Sequence, residues 1–226
     1  CTSCKSNHAV NIQMLDLYAN NNPVVSVIMA TFNRAALLNR SISSFINQTF
    51  KNAELIVVDD GSKDQSFEIV NGYMNLYENI RYMKHCNRKL SLSKNVGIMA
   101  SAGRYIAFLD SDDEYRPGYL EKRVHFMDEN PNLDLVQGGA EIIGNPYVKD
   151  KNDLSKKIHL SNCTIGPTIF GKKEVFIALD GFDKTIFYSE DSEFWERAKK
   201  KYSVKKIDLP GYVYYRDSED SICNTI

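Results

Sequence analysis

Short apolar runs rich in β-branched residues alternate with stretches of helical periodicity along most of this chain, and few folds accommodate that rhythm. VVSVIMA (24–30) is such a run and reads as a buried strand. Behind it Leu38, Ile42, Phe45 and Ile46 follow the i, i+4, i+7 spacing of one helix face. AELIVV (53–58) reads as a second strand, 64–77 as a second helix and IRYM (80–83) as a short third strand. SLSKNVGIMASAG reads as a helix closing on Gly103, since glycine suits a left-handed cap, and RYIAFL (104–109) as the next strand. Pro117 suits a first helical turn with Leu120, Val124 and Met127 on one face, and LDLVQGGA (133–140) reads as another strand. This β-α-β-α order predicts an α/β fold, a Rossmann-like, mostly parallel central sheet with helices on both faces. The polar stretch GNPYVKDKNDLSKK (144–157) is the candidate flexible loop.

Composition excludes several classes. Basic and acidic residues number 28 and 29, a net charge of −1, so the electrostatic footprint of a nucleic-acid binder is missing. The most apolar stretch, Val24–Ala30, is far too short to span a bilayer, and no charged-then-apolar leader opens the chain. Five scattered cysteines point to reduced thiols and a cytoplasmic setting rather than a disulfide framework. Cys1 and Cys4 form a CxxC with His8 behind it, but no second ligand pair follows. Residues 1–22 therefore read as a polar tail, and 23–226 as one domain.

In sheets of this kind ligands sit beyond the carboxyl ends of the strands. The first strand runs into Thr31, Phe32, Asn33 and Arg34, the second into Asp59, Asp60, Gly61 and Ser62, and the fourth into Asp110, Ser111, Asp112 and Asp113. One rim thus gathers five aspartates and an aromatic. DDGSKD also suits a turn with a helix cap, and Phe32 also suits a core position. DSDD is harder to explain as a cap, because capping uses one oxygen and this turn supplies three carboxylates. Hard oxygen ligands of that kind match Mg²⁺ or Mn²⁺ carrying substrate phosphates.

VSVIMATFNR, LIVVDDGSKD, SKNVGIMASAGRYIAFLDSDD and SEDSEFWER resemble, in order, the successive motifs of family 2 glycosyltransferases of the GT-A fold, over residues 24–215. The resemblance implies a nucleotide-binding half at 23–113 and an acceptor-binding half at 114–226. It implies that Phe32 stacks on the base with Ala30 and Thr31 beside it, and that Asp59 accepts from the base ring N–H with Asp60 alongside. Lys94 and Asn95 would lie near the ribose and diphosphate, Asp110 would face the ribose, and Asp112 with Asp113 would bind Mn²⁺ or Mg²⁺. The donor implied is a nucleotide sugar, a UDP-sugar in particular. The acceptor would be a saccharide or lipid-linked saccharide, in polysaccharide or glycoconjugate synthesis.

Asp191 is the candidate general base, leading an i, i+3, i+4, i+7 stripe with Phe194, Trp195 and Ala198, while Glu193 and Arg197 form an i, i+4 pair off it. Glu190 and Trp195 are candidates for the acceptor side, with QGGAEI (137–142) and CTIGPTIF (163–170) near the anomeric carbon. Two departures stand out. Where relatives carry YRxHxxS, this chain has YRDSEDS, with Ser218 in place of the metal-binding histidine and Asp217 or Glu219 as nearby substitutes. The QxxRW motif and membrane helices of processive synthases are missing, which favours transfer of single residues by a cytoplasmic enzyme in at most peripheral contact with the inner membrane face. A sugar-nucleotide pyrophosphorylase should carry a glycine-rich loop after the first strand, and ATFNR has no glycine. A non-catalytic nucleotide- or carbohydrate-binding module is the other alternative.

Overall fold

The computed structural model describes residues 22–151, 153–186 and 188–216. Among them, β1 (Val25–Thr31), β2 (Ala53–Asp59), β3 (Ile80–Lys84) and β4 (Tyr105–Phe108) run parallel in one sheet. The helices α1 (Ala35–Ile46), α2 (Ser66–Met74) and α3 (Leu90–Ala100) connect them. β5 (Glu114–Tyr115), α4 (Tyr119–Glu129), β6 (Leu135–Gln137), β7 (Ala140–Ile143), β8 (Tyr147–Asp150) and β9 (Asp153–His159) follow. β10 (Phe170–Lys172), α5 (Lys173–Ala178), α6 (Glu190–Lys199), β11 (Val204–Lys206) and β12 (Tyr212–Tyr215) complete the described chain. The sheet order is β11-β6-β10-β4-β1-β2-β3, with β10 antiparallel to both neighbours. The expected α/β architecture, mostly parallel with helices on both faces, is what forms.

Side-chain alternation along β1 decides where the helices lie. Val25, Val27 and Met29 meet Leu38, Ile42 and Phe45 of α1, Val70 of α2, and Leu120, Val124 and Met127 of α4. Ile28 points to the opposite face, against Ile98 of α3, Val175 and Phe176 of α5, and Phe194 and Ala198 of α6. Each such side chain contributes about 1.5–3 kcal/mol when fully buried, so a one-residue slip of β1 would forfeit both layers together. Register therefore brings the ends of β1, β2 and β4 to one rim, with Thr31 beside Asp59 and the Asp60 N–H donating to the Thr31 carbonyl at 2.8 Å.

Three expectations fail for identifiable reasons. LDLVQGGA is not one strand: β6 ends at Gln137, and β7 belongs to a separate β5-β12-β7 sheet. Gly138 and Gly139 turn the chain between them at φ +119° and +75°, and a Cβ on either would lie 2.4 or 2.1 Å from the Ile207 or Leu209 carbonyl oxygen. The stretch 144–157 is not a loop but most of the antiparallel β8–β9 hairpin, which pairs Val148 with Ile158. Val148 packs on Leu160 and Ile165 while the other face stays polar, so its composition hid a half-wet ribbon. Gly103 does not close α3, which ends at Ala100. A Cβ at Gly103 would lie 2.5 Å from the Ser26 nitrogen, so glycine here lets the start of β4 approach β1. The CxxC tail and Ser218 lie outside the described residues.

Candidate active site

The rim opens into a cavity of about 970 Å³, at the upper end of the usual range for ligand clefts. Ala30, Thr31 and Phe32 line it, as do Asp110, Asp112, Glu190 and Asp191, with Asp110, Glu190 and Asp191 all acting on Lys94. Phe32 is 42% exposed, a large apolar ring left open at a strand end. Thr31 Oγ1 is buried with no partner among the described residues, an orphan that a ligand atom would satisfy.

The DSDD turn is held from two sides. Ser41 of α1 donates to the Ser111 carbonyl at 2.8 Å, and Arg40 donates to the Asp112 carbonyl while stacking on the Tyr215 ring. Asp113 faces away from the cavity: its carboxylate accepts from Tyr212 Oη at 2.6 Å and from the Tyr215 N–H at 2.8 Å, and it is fully buried. Burial, with Asp110 and Asp112 nearby, pushes its pKa well above the usual carboxylate range. The expected metal role of Asp113 is therefore corrected; it is fully buried, does not line the cavity, and braces the turn from behind.

Among the described residues no group of three or more His, Cys, Asp or Glu side chains could hold a metal ion. Asp110 and Asp112 remain in the cavity lining, and two hard carboxylates fit a Mg²⁺ or Mn²⁺ that takes its other ligands from phosphates and water. Burial pushes Asp110 up to about 6, with Lys94 pulling it down and Asp112 and Glu190 pushing it further up.

The first turn of α6 also lines the cavity. Glu190 accepts from Lys94 Nζ at 3.0 Å, tying α6 to α3 across 96 residues of sequence. Burial would lower the Lys94 pKa, but Glu190, Asp110 and Asp191 outweigh it and hold the ammonium at about 12. Asp191 accepts from the Gly166 N–H at 2.8 Å and the Ser192 N–H at 2.6 Å. Burial and the neighbouring Glu190 push its pKa up to about 7, against Lys94 and the two amide bonds. A carboxylate poised near neutrality and facing a cavity is what general-base chemistry requires.

Three other expected site residues point elsewhere. Asp59, the last residue of β2, is fully buried and accepts from the Ser62 N–H at 2.6 Å and Tyr82 Oη at 2.5 Å. The next residue alternates to the open side, so Asp60 lines the cavity instead and accepts from the Arg88 and Lys89 N–H groups at 2.7 and 2.9 Å. Asn95 lies one helical step past Lys94, does not line the cavity, and exchanges two 2.8 Å hydrogen bonds with the Phe182 backbone. Trp195 is 6% exposed in the layer with Phe194, a turn deeper than Asp191, so it is core rather than a sugar platform.

QGGAEI is absent from the cavity wall, whereas Thr164, Ile165 and Gly166 of CTIGPTIF form part of it. Sequence reasoning missed the Lys94–Glu190 pair and the Arg40 clamp, which no local signal marks. It also left Arg197 with Glu193 alone, whereas its guanidinium donates to the Leu179 and Gly181 carbonyls too, at 2.5 and 2.7 Å.

The Asn95 clamp yields a stability prediction. Asn95→Leu strands the Phe182 N–H and carbonyl, each at a cost of about 1–3 kcal/mol, so the melting temperature should fall by several degrees. Nucleotide affinity of the folded variant should change little; an unchanged melting temperature would remove the clamp from the account.

A family model described as Glycosyl transferase family 2 matches residues 26–184. The minor teichoic acid biosynthesis protein GgaB of Bacillus subtilis is 34% identical over 214 residues, covering 86% of this chain and 23% of GgaB. Among solved structures, S. aureus TarS 1–349 in complex with UDP-GlcNAc superposes with a TM-score of 0.71 at 24% identity, covering 89% of this chain and 60% of that one. The mannosyltransferase PcManGT of Pyrobaculum calidifontis, in complex with GDP-Man and Mn²⁺, gives 0.67 at 19% identity, covering 90% and 59%. The chain spans about half to three fifths of the length of the first curated relatives it matches. Among the described residues no helix is long and apolar enough to cross a membrane.

Proposed function

The chain belongs to glycosyl transferase family 2, and from that premise we propose that it moves a single sugar from a UDP-sugar to an acceptor hydroxyl with inversion at the anomeric carbon. The observation that carries this is one cavity holding both the Asp110 and Asp112 carboxylates and Asp191 at a pKa of about 7. An acceptor hydroxyl is a poor nucleophile and a nucleoside diphosphate leaves with developing charge, so the reaction needs help at both ends.

Phe32 offers its ring to the base. Asp60, whose oxygens retain lone pairs beyond their amide bonds, is the acceptor this reading assigns to the uracil ring N–H. Asp110 and Asp112 would hold a divalent cation, which when bound supplies charge stabilisation for the leaving diphosphate. Asp191 takes the proton of the acceptor hydroxyl as it attacks, a contribution typically of about 10²–10⁴-fold. The Lys94–Glu190 pair fixes the turn that carries Asp191. TarS and PcManGT, which share the fold, bind UDP-GlcNAc and GDP-Man with Mn²⁺, which supports a nucleotide-sugar donor. GgaB supports a place in cell-surface polymer synthesis, with a saccharide or lipid-linked saccharide acceptor.

A melting-temperature screen of UDP, GDP and ADP with and without Mn²⁺ tests the donor half. A ligand at 100 times its Kd adds about 2.7 kcal/mol, so UDP with Mn²⁺ should raise the midpoint by several degrees. Equal shifts with UDP and ADP would remove the uracil preference, and no shift with any of the three would remove the nucleotide reading.

A further inference from the structure

We propose that the acceptor carries a fixed negative charge close to the hydroxyl it offers, and that Lys149, Lys151 and Lys184 receive that charge beside Asp191. The inference deepens the glycosyltransferase reading above and rests on it.

The β8–β9 hairpin carries none of the roles assigned to Asp110, Asp112 and Asp191, yet it contributes Lys149 and Ile158 to the same cavity. Two hydrogen bonds seat this hairpin against the segment that carries the base. Tyr188 Oη donates to the Lys149 carbonyl at 2.7 Å, and Lys151 Nζ donates to Ser192 Oγ at 2.7 Å, one residue from Asp191. Below it, Val148 packs on Leu160 and Ile165, and Ile165 precedes the Gly166 whose N–H holds Asp191. Whatever the hairpin presents is therefore presented to a molecule approaching Asp191.

What it presents is positive. Lys149 and Lys151 line the cavity, and so does Lys184 from the segment before α6. Lys149 is half-buried, and Lys151 and Lys184 are exposed. Among the described residues neither Lys149 nor Lys184 has a carboxylate within ion-pair distance, Lys184 acts electrostatically on the neighbouring Asp183, and Lys151 Nζ donates to a neutral hydroxyl. Two acids that line the same cavity are already used. Glu190 pairs with Lys94 at 3.0 Å and Glu196 with Lys199 at 3.1 Å. Asp191 is the group left to react.

A neutral sugar needs hydrogen-bond partners, not three ammonium-bearing side chains in the lining of its cavity. Asp110 and Asp112 would hold a cation that draws the donor diphosphate to them. The lysines beside the base are thus left for a second anion, and the molecule that must come to the base is the acceptor. A phosphate ester and a sugar carboxylate both supply that charge.

The test uses the protein with Mn²⁺ in a calorimeter. UDP is titrated first, so failure of the nucleotide reading registers before any sugar is added. Glucose, glucose 6-phosphate and glucuronate are then compared, with UDP at saturation where it binds and without it where it does not. Glucose 6-phosphate should bind about tenfold tighter than glucose, and the difference should shrink as salt rises. The double variant Lys149→Gln/Lys184→Gln should lose the difference while keeping the parent's melting temperature and UDP affinity. Glucuronate matching glucose 6-phosphate assigns the site to charge alone, and a preference for glucose 6-phosphate over glucuronate assigns it to phosphate. Equal binding of all three sugars, or a preference untouched by the double variant, overturns the proposal.

Discussion

Asp191→Asn is expected to lower the turnover number by about 10²–10⁴-fold while donor affinity stays close to the parent's. An amide cannot take a proton at neutral pH, and Lys94, the donor-side cation that Asp191 influences, keeps its direct partner Glu190. The substitution is not silent structurally. Asp191 accepts from the Gly166 and Ser192 N–H groups on two separate oxygens, whereas asparagine offers one acceptor and sets an NH₂ against the other donor. A melting-temperature loss of a few degrees should accompany the activity loss, and kinetics read well below that midpoint separate the two effects.

The pH profile provides a further reading. Burial and Glu190 hold the Asp191 proton on up to about pH 7, and a protonated carboxyl is no base. The turnover number of the parent should therefore rise as pH climbs through about 7, and the residual activity of Asp191→Asn should lack that limb. Glu190→Gln removes the neighbouring charge that raises the Asp191 pKa, so its limb should move to lower pH with a milder loss. If Glu190→Gln abolishes transfer and Asp191→Asn does not, the base is Glu190.

Asp112→Asn is expected to abolish the gain in UDP affinity that Mn²⁺ provides, with metal-free binding preserved. The shape of the side chain is kept and the charge that attracts the cation is lost. The turn itself should survive, because Arg40 holds Asp112 by its backbone carbonyl and Ser41 holds Ser111. Asp113→Asn should behave oppositely. It keeps the Mn²⁺ response but loses stability, because the fully buried Asp113 accepts from Tyr212 and the Tyr215 N–H. Titrating UDP into each variant with and without Mn²⁺ decides the matter; an undiminished Mn²⁺ effect in Asp112→Asn would move the ligand role to Asp110.

The sheet and its rim were legible in the sequence because their signals are local. β-branched runs and the 3.6-residue spacing of Leu38, Ile42 and Phe45 are read within a few residues, and parallel pairing follows from their alternation. That ligands would gather at Thr31, Asp60 and Asp112 follows from the ends of those strands, as does the acidic first turn of a helix at Asp191. Tertiary structure decided which member of each acidic cluster faces the cavity. Asp59 and Asp113 are turned inward by Tyr82 and by Tyr212 and Tyr215, partners 23 or about 100 positions away that no pattern near the aspartates announces. Trp195 and Asp191 share a helical stripe, yet the layer beneath α6 buries one and leaves the other at the cavity edge. The glycine pair at 138–139 and the polar face of the β8–β9 hairpin misled for the same reason: a residue type states what it tolerates, and only its packing partners determine which tolerated conformation is used.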